Sequence, residues 1–358
     1  MFIMKAIFIQ VCIIQLYFLV VTSIQLSPCA KWNSTGRTTA GTGTAGSTST
    51  QLNWPHGIFI HQQTNSLYVA DSENNRVQVF RLNDQSMIAT TVAFNVSDPT
   101  SVYVDDDEKD GPILYVAMEG SDRVEKWMKG ATVGIQVGSE CRICSGVWLD
   151  KQKNIYAAEA VRFRVVKWLS TTQAEIVVAG KTDQFGNKDE LLNVLGSIYV
   201  HSTDGTVYVA DRLNNRVQKW TKDASYGITV AGNGIANDTA QSLDNPFGVF
   251  VDEGTGVVFV VDTFNERIQR WLPDALQGET IVGDPDSTSP FNQLKGPTSM
   301  AFDSDGNLYV SDSLNHRIQK YALLDNSPCS SSSAAIFSVL LKLNLIFLLP
   351  LWFYSRCE

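Results

Sequence analysis

The sequence predicts an all-β protein assembled from six copies of one four-stranded unit, the organisation of a propeller or a solenoid. Three observations carry this: a motif that returns in register, a period near 50 residues, and alternating apolar runs broken by Gly, Asn and Asp turns. The motif is clearest in Leu67-Tyr68-Val69-Ala70-Asp71-Ser72-Glu73-Asn74-Asn75-Arg76-Val77-Gln78 and in Val207-Tyr208-Val209-Ala210-Asp211-Arg212-Leu213-Asn214-Asn215-Arg216-Val217-Gln218. Its frame recurs over Phe259–Gln269 and Leu308–Gln319, and more weakly over Tyr115–Trp127 and Tyr156–Trp168. The aligned arginines at 76, 123, 164, 216, 267 and 317 are spaced by 47, 41, 52, 51 and 50 residues.

Each unit opens about 20 residues before its arginine, with Pro-x-Gly or a relative and a run of alternating apolar residues. Pro55–Ile60, Pro246–Val251 and Pro297–Phe302 are examples. A polar turn such as Ser304-Asp305-Gly306-Asn307 leads into the second strand, Leu-Tyr-Val-x, and then the loop from Asp to Arg. The third strand ends in Trp or Tyr (Trp220, Tyr321), and a fourth run such as Gly227–Ala231 closes the unit. Short β-branched and aromatic runs of this kind, bounded by turn residues, are strand chemistry. No helical periodicity of useful length lies between the two ends of the chain.

The repeated Tyr-Val-x-Asp-x-x-Asn-x-Arg-Ile/Val, preceded by Pro-x-Gly and a strand, resembles the NHL repeat. The resemblance covers roughly residues 30–325 and implies a six-bladed β-propeller. Departures fall in blades two and three: Met118 stands at the loop Asp position, Glu159 replaces another Asp, and Cys144 and Leu195 occupy the Pro position. A propeller must join its last blade to its first or leave open edges. Lys31-Trp32 followed by Thr38-Thr39-Ala40-Gly41 matches the late part of a repeat, whereas the last repeat stops soon after Tyr321. The strand around Arg37–Ala40 is therefore expected to complete the sixth blade. Cys29 and Cys329 flank this junction in matching Ser-Pro-Cys contexts and are expected to pair. For Cys141 and Cys144, zinc would want a second pair and a redox site a helix N-terminus, so a local disulfide is the plainer expectation.

The chemistry-bearing residues give weak signals. Asp71/Arg76, Asp211/Arg216, Asp262/Arg267 and Asp312/Arg317 recur once per blade, as loop-fixing ion pairs do and a single active site does not. The four histidines, His56, His61, His201 and His316, are scattered. The resemblance also takes in peptidyl-amidoglycolate lyases, propellers whose zinc is held by several channel histidines, and that constellation is not evident here. Asp105–Asp110 reads as a solvated acidic turn in preference to a calcium site. No cofactor is expected. The binding face suggested by fold analogy is the rim with His56, Asn74, Asn75, Asn214, Asn215, Asn315 and His316.

The ends place the protein. Residues 1–23 carry one charge, Lys5, before an apolar run of 16 residues, Ala6–Val21, the layout of a signal peptide. Residues 330–358 begin with four serines and continue as an apolar tract with Lys342 and Asn344 inside it. This fits a GPI-attachment signal better than a membrane-spanning helix. Asn33, Asn95 and Asn237 head glycosylation triplets. The propeller, residues 24–329, keeps 25 basic and 36 acidic residues, net −11, which speaks against nucleic acid as a partner. The expected protein is a non-catalytic module at the cell surface that binds an extracellular protein or glycan, membrane-attached through its C-terminal segment. The alternative is a metal-dependent lyase or hydrolase with its site in the central channel.

Overall fold

A computed structural model describes residues 25–106, 111–283 and 293–329. The signal-peptide and anchor segments, and Asp107–Asp110 of the acidic turn, lie outside the described residues. After two short strands, β1 (Lys31–Trp32) and β2 (Arg37–Ala40), the chain forms β3 (Pro55–His61), β4 (Ser66–Asp71), β5 (Arg76–Arg81) and β6 (Thr90–Phe94), the first blade. Blade two is β7 (Pro99–Asp105), β8 (Ile113–Met118), β9 (Arg123–Trp127) and β10 (Ile135–Val137). Blade three is β11 (Cys144–Leu149), β12 (Ile155–Glu159), β13 (Arg164–Trp168) and β14 (Glu175–Gly180). Blade four comprises β15 (Leu195–Val200), β16 (Val207–Asp211), β17 (Arg216–Trp220) and β18 (Ile228–Ala231). Blade five comprises β19 (Pro246–Val251), β20 (Val258–Asp262), β21 (Arg267–Trp271) and β22 (Glu279–Val282). The last blade has β23 (Pro297–Phe302), β24 (Leu308–Asp312) and β25 (Arg317–Tyr321), and its outer strand is β2. All neighbours within a blade are antiparallel, so the protein is a six-bladed β-propeller.

The ring closes as the sequence predicts. Arg37 and Thr38 of β2 pair with Lys320 and Gln319 of β25, so the chain's first blade-forming strand finishes its last blade. β26 (Leu323–Asp325) then pairs with β1. Beyond it, Cys29 and Cys329 are joined by a disulfide, and the Ser27 amide donates to Asn326 Oδ1 at 2.7 Å. Cys141 and Cys144 are also bonded to each other, buried at the start of blade three.

The apolar core is divided among the gaps between blades. One cluster sets Ala70 and Val77 of blade one against Val102, Leu114 and Val116 of blade two. Another sets Tyr309, Ile318 and Ala40 of blade six against Ile58, Leu67 and Val69 of blade one, so the closing seam is packed like the others. A blade has two apolar faces, and each face is covered by the neighbouring blade. This explains why β4, β8, β12, β16, β20 and β24 are buried at every position, with no polar alternation.

The repeat arginines lock the loop between the second and third strands. Arg216 Nε donates to Asp211 Oδ2 at 2.8 Å, Asn214 donates to the same carboxylate, and the Asn193 amide donates to its Oδ1 at 2.7 Å. The arrangement repeats at Asp71/Arg76 (2.7 Å), Asp262/Arg267 (2.8 Å) and Asp312/Arg317 (2.6 Å). Glu159 takes the same role with Arg164 in blade three. In blade two Met118 is buried at the acid's place, and Arg123 turns instead to Glu125 Oε1, 2.8 Å away.

Candidate functional site: the aromatic collar of the channel

The six inner strands β3, β7, β11, β15, β19 and β23 surround an axial cavity of about 260 Å³. Their backbones approach closely. Gly57 lies so near Ser101 that a Cβ would meet its Cα at 2.7 Å, and Gly248 is similarly confined by the Thr298 carbonyl. At this level each strand carries Gly or Ser: Gly57, Ser101, Gly146, Ser197, Gly248 and Ser299. The serines also tie neighbouring blades together, since Ser101 Oγ accepts from the Val147 amide at 3.3 Å and Ser299 Oγ from the Ile58 amide at 3.2 Å.

Two residues further along, the same strands place Phe59, Tyr103, Trp148, Tyr199 and Phe250, with Ala301 in the sixth position. Successive ring centroids are 4.9 Å (Phe59–Tyr103), 5.1 Å (Tyr103–Trp148), 4.6 Å (Trp148–Tyr199) and 5.4 Å (Tyr199–Phe250) apart. Their interplanar angles, 56°, 60°, 50° and 71°, follow the turn from blade to blade, so the rings stand around the axis instead of lying across it. Ala301 leaves one side of this collar without a ring.

The collar mouth is acidic. Glu253 accepts from the Tyr199 hydroxyl (3.1 Å) and from Ser202 Oγ (2.6 Å). Burial, and then Asp105, Asp106, Asp150 and Glu253, hold the Tyr103 hydroxyl far above the usual phenol range. Some of this charge is met locally: Lys167 pairs with Asp150 at 3.0 Å, and Lys153 pairs with Asp105. His61 sits here with both nitrogens engaged, Nδ1 by Thr64 Oγ1 at 2.7 Å and Nε2 by Asp106. His201, in the matching place of blade four, faces Asp204 at 3.1 Å.

The other end of the channel is built differently. Phe247 is packed edge-on by the His56 ring at 5.0 Å and capped by the Arg212 guanidinium at 4.8 Å. Burial and then the Arg212 charge pull the His56 pKa down to about 4, so its ring is neutral at pH 7, and its Nδ1 meets no hydrogen-bond partner.

The rim residues suggested by the sequence are placed as follows. His56 is not on a loop: it lies in strand β3 and turns towards the channel. The Asn74, Asn214 and Asn315 amides are bound to the loop carboxylates of Asp71, Asp211 and Asp312. Asn75, Asn215 and His316 take left-handed backbone conformations that end the loop's 3₁₀ turn, and Asn75 and Asn215 accept from the next blade's Asp98 and Asn245 amides. His316 Nδ1 accepts from the Trp54 amide at 3.3 Å. These side chains shape the loops and do not converge on one point. The glycosylation candidates Asn33, Asn95 and Asn237 are all exposed. The collar itself escaped the sequence reading, although its signal is present as an aromatic residue four places after each Pro position in five of six repeats.

Fold and repeat together define an NHL-repeat β-propeller. The family model described as NHL repeat matches residues 52–80 and 294–321, the first three strands of blades one and six. No curated protein matches the chain significantly. Among solved structures, a protein of unknown function from Bacteroides thetaiotaomicron is similar over 81% of this chain and 76% of its own, at 18% identity and a TM-score of 0.64. An auxiliary nutrient binding protein from the same organism is similar over 83% of this chain and 77% of its own, at 15% identity and a TM-score of 0.63. Virginiamycin B lyase from Staphylococcus aureus is similar over 82% of this chain and 100% of its own, at 10% identity and a TM-score of 0.51. At these identities the likeness is one of fold.

Proposed function

We propose that the protein is an extracellular, non-catalytic binding module whose ligand enters the channel at the collar mouth. The observation that carries this reading is the collar: five aromatic side chains from five blades line one cavity, and four of them are only partly buried. Concave apolar sites with a few polar groups at the rim are the usual form of a small-ligand site. The Cys29–Cys329 disulfide supports an oxidising compartment, and the fold likeness to a nutrient binding protein is in keeping with capture of a ligand. Surface attachment through residues 330–358 belongs to the same proposal and predicts release of the protein from cells by phosphatidylinositol-specific phospholipase.

A second reading, catalysis in the channel, is favoured by the likeness to a lyase and by the His61–Asp106 pair at the collar mouth. One experiment separates the two. The full chain is incubated with a library of small amines, sugars and peptides, bound compounds are separated from free, and both fractions are weighed by mass spectrometry. Binding predicts compounds retained with unchanged mass and lost from a Trp148→Leu variant. A product formed in molar excess over the protein overturns the binding reading and installs the enzyme.

A further inference from the structure

We propose that the collar recognises an alkylated ammonium group, tertiary or quaternary, on its ligand. This rests on the channel being the binding site and adds the chemistry of what is bound. Geometry comes first. In a six-fold ring the radius equals the distance between neighbours. Collar separations of 4.6–5.4 Å therefore put the axis about 5 Å from each centroid, inside the roughly 6 Å at which a cation is attracted by every ring that turns its face to it. One axial position is thus within reach of Phe59, Tyr103, Trp148, Tyr199 and Phe250 together, and Ala301 leaves room on the sixth side for the group that the ammonium carries.

The surrounding charge agrees. The Tyr103 hydroxyl feels four carboxylates at this mouth. Two of them are balanced by Lys153 and Lys167, and Asp106 is joined by His61. Glu253 is held by hydroxyls and an amide, with no Lys or Arg in ion-pair distance among the described residues. An anion is disfavoured there and a cation drawn in.

The type of cation follows from hydration. A hard metal ion needs six or more oxygen ligands in direct contact, and a primary ammonium needs three hydrogen-bond acceptors. The collar presents mainly rings, and Glu253, the carboxylate bonded to the Tyr199 hydroxyl, is already engaged by Tyr199 and Ser202. An ammonium covered by methyl groups has shed most of its hydration and is the cation that aromatic cages hold best.

The test uses the full-length protein and two probes of nearly the same shape: choline, and its uncharged carbon isostere 3,3-dimethylbutan-1-ol. Affinities are read by calorimetry and by fluorescence of the indole next to the site. Choline is expected to bind at least tenfold more tightly than the alcohol. Trp148→Leu should abolish that preference, and Glu253→Gln should lower choline affinity severalfold while leaving the alcohol unchanged. Equal binding of both probes to the wild-type protein overturns the cation assignment and leaves the channel as the site. Binding of neither also overturns the assignment, and whether the channel binds at all is then decided by library retention and its loss in Trp148→Leu. The comparison of probes on the wild-type chain stands even where a variant folds poorly.

Discussion

At the scale of single residues, the same arginine does different work in different blades. In blade four Asp211 is fully buried, and Arg216, Asn214 and the Asn193 amide surround its carboxylate. Burial pushes the Asp211 carboxyl up, and those donors pull it back. Removing one partner of a buried pair strands the other charge, at a cost of about 3–5 kcal/mol. Arg216→Met should destabilise the fold by that amount in urea unfolding at pH 7. The loss should shrink on acidification. A carboxyl raised in the folded state costs nothing while it stays protonated, and the cost appears as pH climbs past the unfolded value towards the raised one. In blade two Arg123 reaches Glu125 from a site 41% exposed, because Met118 has taken the acid's place. Arg123→Met leaves a buried Glu125 that still accepts from the Trp127 indole, and should cost less, about 1–3 kcal/mol. Equal losses at the two arginines would show that burial does not set the strength of this pair.

At the scale of the element, blades two, four and five each set the indole near the end of the third strand against a glycine that leads into the fourth. The indoles of Trp127, Trp220 and Trp271 lie over Gly134, Gly227 and Gly278, each within 2.6 Å of where a Cβ would stand. Glycine is required here by close approach and not by backbone angle, since none of the three has a positive φ. Trp271 is 2% exposed and its indole is tied to Gln269 Oε1 at 3.1 Å. Overpacking of this kind costs about 1–3 kcal/mol, so Gly278→Ala should lower the melting temperature measurably. Leu276→Ala, two residues away and 88% exposed, should leave it within the error of the measurement. The tryptophans were legible as strand ends from the repeat. The close approach of a glycine to each one was not, since Gly227 read only as the start of the fourth run and the packing partner of a strand is not visible in the strand.

At the scale of the whole molecule, stability depends on holding a ring shut. Each blade's faces are covered by its neighbours, so opening one seam exposes two apolar surfaces at once. The seam between blades six and one is closed by β2 on β25, by β1 on β26, and by the disulfide between Cys29 and Cys329, whose sequence separation is 300 residues. In the chain-entropy picture a bridge over such a loop contributes about 5 kcal/mol. The double variant Cys29→Ser/Cys329→Ser should accordingly lose up to that much in urea unfolding, and the intact protein should lose a comparable amount when reduced. Retention of full stability after reduction would mean that the paired strands alone hold the ring. This closure was legible, because Lys31–Ala40 copies the end of a repeat whose last instance stops short.

What the sequence determined by itself is the unit and its number. Strand order, the Asp-to-Arg loops and the partner of the N-terminal strand all follow from a pattern that recurs within about 50 residues. The tertiary structure decided where the units face one another. The collar residues belong to separate repeats, and His56 lies 156 positions before the Arg212 that lowers its pKa. No local pattern links such residues. A propeller's inner strands meet only when the ring closes, and the chemistry of the channel comes into being at that step.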